Sequence, residues 1–167
     1  MDVEAQRRAA CCELVLDVAR TSGEVSLKLT GTSMLPAVWP GDVVTVRRCD
    51  LAELQPRQIV LFHREGTLVA HRVLLASQNQ LLTRGDSVPA CDPPVKASEV
   101  VGQVVGISRN GRSVPLGLSF WRRNVASVLR HSDFCLRLLL FVANLPARLR
   151  AKLPPLGSPR FETTDLL

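Results

Sequence analysis

The sequence predicts a mainly β fold: an antiparallel, β-rich domain with one helix before it and a basic amphipathic helical segment after it. Three observations carry this prediction. Short runs rich in Val, Ile and Leu follow one another from residue 24 to about 108, too close together for long helices between them. Pro, Gly, Asn and Asp punctuate those runs. The net excess of basic charge is confined to the C-terminal third, which separates a core domain from a contact segment. The expected organisation is a helix over 1–23, a β-domain over 24–110, a basic helical extension over 111–147 and a flexible tail over 148–167.

The first element spans about residues 3–20. Val3, Ala10, Leu14 and Val18 recur at helical spacing, and Thr21-Ser22-Gly23 ends the run. From Glu24 the period changes to two. VSLKLTG alternates as a half-buried strand does, and DVVTVRR, QIVLFHR, TLVAHRVLLA, QLLTRG and VVGQVVGIS follow. Glu65-Gly66 reads as the turn of a hairpin. PGDVVTVRR and PRQIVLFHR echo each other, as two proline-led strands of one sheet would. Beyond Asn110-Gly111, Leu118, Trp121, Val125 and Leu129 return to near-helical spacing, followed by Phe134, Leu138, Phe141 and Leu145. Arg123, Arg130 and Arg137 fall at steps of seven on one face.

Composition excludes several classes. Nearly half of the 167 residues are apolar, so the chain can bury a core. Tyrosine is absent and aromatic residues are scarce, which argues against stacking platforms for single-stranded nucleic acid. Five cysteines without a C-x-x-C pattern suggest reduced thiols, neither a disulfide framework nor a zinc site. The N-terminus mixes acids and bases and is no signal peptide. No stretch reaches the roughly 20 apolar residues of a spanning helix. Residues 1–108 carry 11 basic and 12 acidic side chains, whereas residues 109–160 carry 10 basic ones and the single acid Asp133.

Three stretches carry candidate chemistry. In GTSMLPAVWPGD, Ser33 lies on a short stiff segment between two strand-like runs, flanked by Gly31 and Pro36. In LVAHRVLL, His71 lies mid-strand with Val69 and Val73 on its own face. A desolvated imidazole stays neutral, as a general base must. In LLTRGDSVPACDPP, Asp86 and Asp92 stand six residues apart in a loop after a strand. A serine on a turn, a buried histidine and a loop acid are the parts of a nucleophile, its base and the group that orients the base. His63, at a strand end, is a backup base, and His131 reads as plain surface.

These boxes, in this order, resemble the type I signal peptidases, and within them the endoplasmic-reticulum and archaeal branch that uses histidine where most bacterial members use lysine. The resemblance covers about residues 28–107, through KLTGTSMLPAVWPGDVVTV, QIVLF, LVAHRVL, LLTRGDSVPACD and VVGQVVGIS. The LexA-like self-cleaving repressors share that fold. The resemblance implies a serine endopeptidase acting on a signal or leader peptide or a preprotein, with Ser33 as nucleophile and His71 as general base. It makes Asp92 the acid that orients His71, and Asp86 the acid of the Gly-Asp box, a support or substitute. The Ser33 N–H would be one oxyanion donor. Gly31, Thr32 and Met34 would border the oxyanion and the substrate, and plain core packing accounts for Met34 equally. No metal or organic cofactor is implied.

The chain departs from the family in three places. Many members carry a serine two positions before the nucleophile as an oxyanion donor; here that position is Gly31, so Thr30, Thr32 or a backbone amide would have to serve. Arg57-Gln58 stands where the family often has Gly-Asp. No N-terminal spanning helix precedes the domain, since residues 3–20 are too polar. The basic region 116–145 suggests attachment to an anionic membrane surface, and a packed helix with a solvated basic face accounts for it equally. The expected partners are therefore a peptide or preprotein and, through residues 116–145, an anionic membrane surface, with no nucleic acid. The expected location is the cytoplasm or the inner face of a membrane. A self-cleaving regulatory module and a non-catalytic binding domain are the alternatives. The former expects a lysine base and an upstream DNA-binding domain, and the latter gives no reason to keep Ser33, His71 and Asp92 together.

Overall fold

The computed structural model describes residues 3–116, and their architecture is mainly β. One N-terminal helix, α1 (Val3–Ser22), precedes a single antiparallel sheet. Its strands are β1 (Glu24–Lys28), β2 (Val43–Arg47), β3 (Ile59–Arg64), β4 (Thr67–Ala76), β5 (Gln80–Arg84), β6 (Val95–Lys96), β7 (Val100–Arg109) and β8 (Arg112–Ser113). They lie in the order β1-β2-β7-β3-β4-β5-β6, with β8 pairing to β7. All six expected strands are present. The echoing strands β2 and β3 both flank β7.

The helix exists where its spacing predicts it, but it uses another face. Cys12 and Ala19 are buried and Leu16 packs on the core, whereas Leu14 is 63 % exposed and Val18 40 %. Residues 9–19 are apolar at so many positions that two stripes fit a 3.6-residue period. Packing of Ala19 and Leu16 on the larger core selects the stripe. Gly23 closes the helix, its N–H donating to the Ala19 carbonyl at 3.1 Å.

The hairpin turn at Glu65-Gly66 has positive φ at both central residues, 50° and 68°, and joins Arg64 to its partner Thr67. That is the twist-matched two-residue turn for antiparallel strands. Asn110-Gly111 makes a second such turn, with φ of 50° and 78°, between Arg109 and Arg112. The sheet therefore continues past residue 110, where a helical extension was expected to start. The rest of that extension and the tail lie outside the described residues.

The sheet buries a different cluster on each face, as strand alternation requires. Ile59, Leu61 and Ala70 join Val44, Val46, Val101 and Val104 in the larger core beneath α1. Val60, Phe62, Val73, Leu81 and Val95 form a smaller core with Val69 at its margin. Two short 3-10 turns, Leu51–Glu53 and Ala97–Glu99, were not expected from sequence. No helix among the described residues is long and apolar enough to cross a membrane.

Candidate active site

Ser33 sits in the connection between β1 and β2, and this connection is built to be stiff. The Leu35 N–H donates to the Thr32 carbonyl and the Val38 N–H to the Met34 carbonyl, folding residues 32–38 into tight turns. The Leu35–Pro36 bond is cis. The side chains of Met34, Leu35, Ala37 and Val38 are buried and hold the turns down. At the far end the Trp39 indole N–H donates to the Pro36 carbonyl at 3.1 Å. Asp42, 2 % exposed, accepts the Trp39 backbone N–H and two bonds from Arg109 at 2.8 and 2.7 Å. The Arg109 guanidinium also lies over the Trp39 ring, 5.5 Å from its centroid. The Pro-Gly-Asp box thus anchors the loop that carries Ser33 to β7.

His71 lies on β4 opposite Val60, on the face of the smaller core. Its ring meets the edge of Phe62, with centroids 6.2 Å apart and planes at 70°. It is 8 % exposed. Its Nε2 is 2.9 Å from Ser33 Oγ, and its Nδ1 is 2.6 Å from Asp92 Oδ2. With Asp92 ionised, Nδ1 carries the proton and donates to the carboxylate. Nε2 then accepts from the serine hydroxyl, the tautomer a general base needs.

Asp92 is fixed from a third direction. The Thr83 hydroxyl, fully buried, donates to Asp92 Oδ2 at 2.7 Å, and the Asp92 N–H donates to the Thr83 carbonyl at 2.9 Å. The chain beyond Asp92 is tied down by Arg64, which donates to the Pro93 and Pro94 carbonyls and pairs with Glu99 at 2.9 Å. That guanidinium holds the Glu99 carboxyl below its usual range and is itself pushed up by it.

Asp86 has a different task. By alternation Arg72 points to the face opposite His71. Its guanidinium donates to both Asp86 oxygens at 2.7 Å, in a pair buried to 10 and 5 % side-chain exposure. A third bond runs from Arg72 to the Arg57 carbonyl. Asp92 takes the histidine and Asp86 the neighbouring arginine, so Asp86 is not the substitute orienting acid that the sequence left open. One loop thereby grips consecutive residues of β4 on both faces of the sheet.

The other expected residues divide. Gly31 is exposed and Thr32 half-buried beside the serine. Met34 is 3 % exposed and its side chain belongs to the larger core, one of the two places the sequence allowed it. His63 donates to or accepts from nothing at Ser33; its Nε2 is 3.1 Å from the Ser98 carbonyl, and it lines a separate hollow with Arg48 and Cys49. The described cysteines are free thiols, and no cluster of metal-binding side chains occurs among the described residues.

Thr83, Ser87 and Gly85 escaped the sequence reading. Thr83 had a signal: alternation places it on the buried face with Leu81, where a polar side chain needs a partner. Gly85 approaches the serine so closely that a Cβ there would lie 2.6 Å from the Ser33 carbonyl oxygen. Ser87 donates through its N–H to the Ser33 carbonyl, and its hydroxyl is 3.0 Å from both the Thr32 and Ser33 carbonyl oxygens. Nothing in the local sequence signals these two approaches, which join segments more than fifty residues apart.

No protein-family model matches this chain, and a search of curated proteins returns no match.

Proposed function

We propose that this protein is a serine endopeptidase similar to type I signal peptidases of the histidine-using branch, cutting a signal or leader peptide or a preprotein. The observation that carries the reading is the relay Ser33 Oγ–His71 Nε2, His71 Nδ1–Asp92, at 2.9 and 2.6 Å. Both distances lie within the reach that proton transfer needs.

In the proposed reaction Ser33 Oγ bonds to the substrate carbonyl carbon while its proton passes to His71 Nε2. The carbonyl π pair moves onto oxygen. Asp92 stabilises the imidazolium and keeps the ring in place. Collapse of the intermediate breaks the C–N bond, and the departing amine takes the proton from His71. Water then attacks the acyl-enzyme by the same route. The membrane-facing part of the reading rests on the charge of residues 116–145.

The test is covalent labelling of the full chain with a fluorophosphonate, which needs an activated serine and no knowledge of the substrate. Labelling at Ser33 that disappears in Ser33→Ala and in His71→Ala supports the reading. No labelling, and no cleavage of precursor peptides, overturns it and favours a binding domain.

A further inference from the structure

We propose that Ser87 is a positioning residue that aims two consecutive backbone amides, those of Ser33 and Met34, at the oxyanion, and that the Met34 N–H is the second oxyanion donor. This rests on Ser33 acting as the nucleophile.

A trans peptide plane holds its C=O and N–H antiparallel. The carbonyl of Thr32 accepts from the Ser87 hydroxyl, so the N–H of that same plane, which belongs to Ser33, points away from Ser87. The carbonyl of Ser33 accepts from the Ser87 N–H and lies 3.0 Å from the same hydroxyl, so the Met34 N–H points away from Ser87 as well. Two successive N–H groups aimed to one side form a concavity suited to an anion.

Neither amide donates a hydrogen bond to any of the described residues. Nearly all backbone donors inside a fold are paired, so two successive amides without a partner stand out. An amide left open beside an activated hydroxyl has an acceptor once the carbonyl π pair has moved onto oxygen. This arrangement supplies the donor that Gly31, lacking a side chain, does not. The Met34 side chain, packed in the core, keeps its own amide from turning. Asp86, clamped by Arg72, and Gly85, against the Ser33 carbonyl, hold the loop that carries Ser87 in register.

The experiment compares two reactions at position 33 in the full chain. Fluorophosphonate labelling of Ser33 bonds Oγ to phosphorus, expels fluoride and places a phosphoryl oxygen where the oxyanion would be. Iodoacetamide alkylation of the Ser33→Cys variant, followed by peptide mapping, displaces iodide at carbon and develops no oxyanion. Ser87→Ala should slow the first reaction at least tenfold and leave the second within about twofold, and Ser87→Thr should recover most of the labelling rate. Labelling of Ser87→Ala at the wild-type rate overturns the proposal. So does equal slowing of both reactions, which marks a merely structural role. If the wild-type serine is not labelled at all, the nucleophile reading fails first and the proposal falls with it.

Discussion

Thr83 and Asp92 hold each other twice, the Asp92 N–H on the Thr83 carbonyl at 2.9 Å and the Thr83 hydroxyl on Asp92 Oδ2 at 2.7 Å. The same Oδ2 accepts from His71. Thr83→Val keeps the shape and the backbone bond but removes the donor to a charged group. The expected loss is about 1.5–3 kcal/mol of stability, shared with a fall in Ser33 labelling. Thr83→Ser restores the donor and should restore the rate. Wild-type labelling by Thr83→Val would show that His71 and the backbone bond suffice to keep Asp92 in place.

The two acids of the same loop should separate cleanly. Asp86→Asn leaves the buried Arg72 guanidinium without its counter-charge and should cost about 3–5 kcal/mol, read as a large fall in melting temperature. Asp92→Asn should lower activity on the order of 10⁴-fold, because the amide no longer holds the reactive tautomer. Its melting temperature should fall much less. Reversed phenotypes would exchange the roles assigned to the two residues.

Gly85→Ala tests the close approach to Ser33. The new methyl would lie 2.6 Å from the Ser33 carbonyl oxygen and 3.0 Å from its Cβ, so the serine or the loop must move. A destabilisation of about 1–3 kcal/mol is expected, with a disproportionate loss of labelling. An Ala variant that labels normally would mean the loop yields without disturbing Ser33.

The Arg64–Glu99 pair gives part of the acid sensitivity a definite sign. Glu99 is held below its ordinary value chiefly by its hydrogen bond to Arg64, and also by the Lys96 N–H. A carboxyl depressed in the folded state contributes stability above its unfolded pKa, and that contribution is lost as pH falls through the folded value. Glu99→Gln should therefore lower the melting temperature near neutral pH and narrow its gap to wild type in acid. A gap that stays constant with pH would show that the pair does not contribute through ionisation.

The basic segment predicts a lipid preference that salt should erase. The full chain should sediment with phosphatidylglycerol vesicles at low ionic strength and release from them as salt rises. Arg123→Glu with Arg130→Glu should abolish this while leaving Ser33 labelling intact. Equal partition onto phosphatidylcholine vesicles would remove the electrostatic basis.

The β-domain was legible because its signals are local. Alternation, β-branched residues and Glu65-Gly66 fixed six strands and one hairpin, and Val69, His71 and Val73 share a face as alternation required. Where the signal was degenerate, the reading failed. The apolar stretch of α1 permits two stripes, and contact with the sheet, invisible in the helix itself, chose the one through Cys12 and Ala19. Met34 could lie against the substrate or in the core, and residues 32–38 turn so tightly that its side chain enters the core. Asp86 and Asp92 were indistinguishable as loop acids. Only the strand on which His71 and Arg72 alternate tells which acid each one meets.

The strand order also bears on when the protein becomes competent during its own synthesis. Ser33 belongs to the part of the sheet made of β1 and β2, whereas His71 and Asp92 belong to the part running from β3 to β6. Their seam is β7, which is made after both and lies between β2 and β3. Arg109, at its end, also completes the anchor on Asp42. A nascent chain therefore holds every member of the relay once Asp92 has emerged, yet lacks the strand that brings the two parts together. Stalling translation before residue 100 should yield chains that fluorophosphonate does not label, and release beyond residue 109 should yield chains that it does.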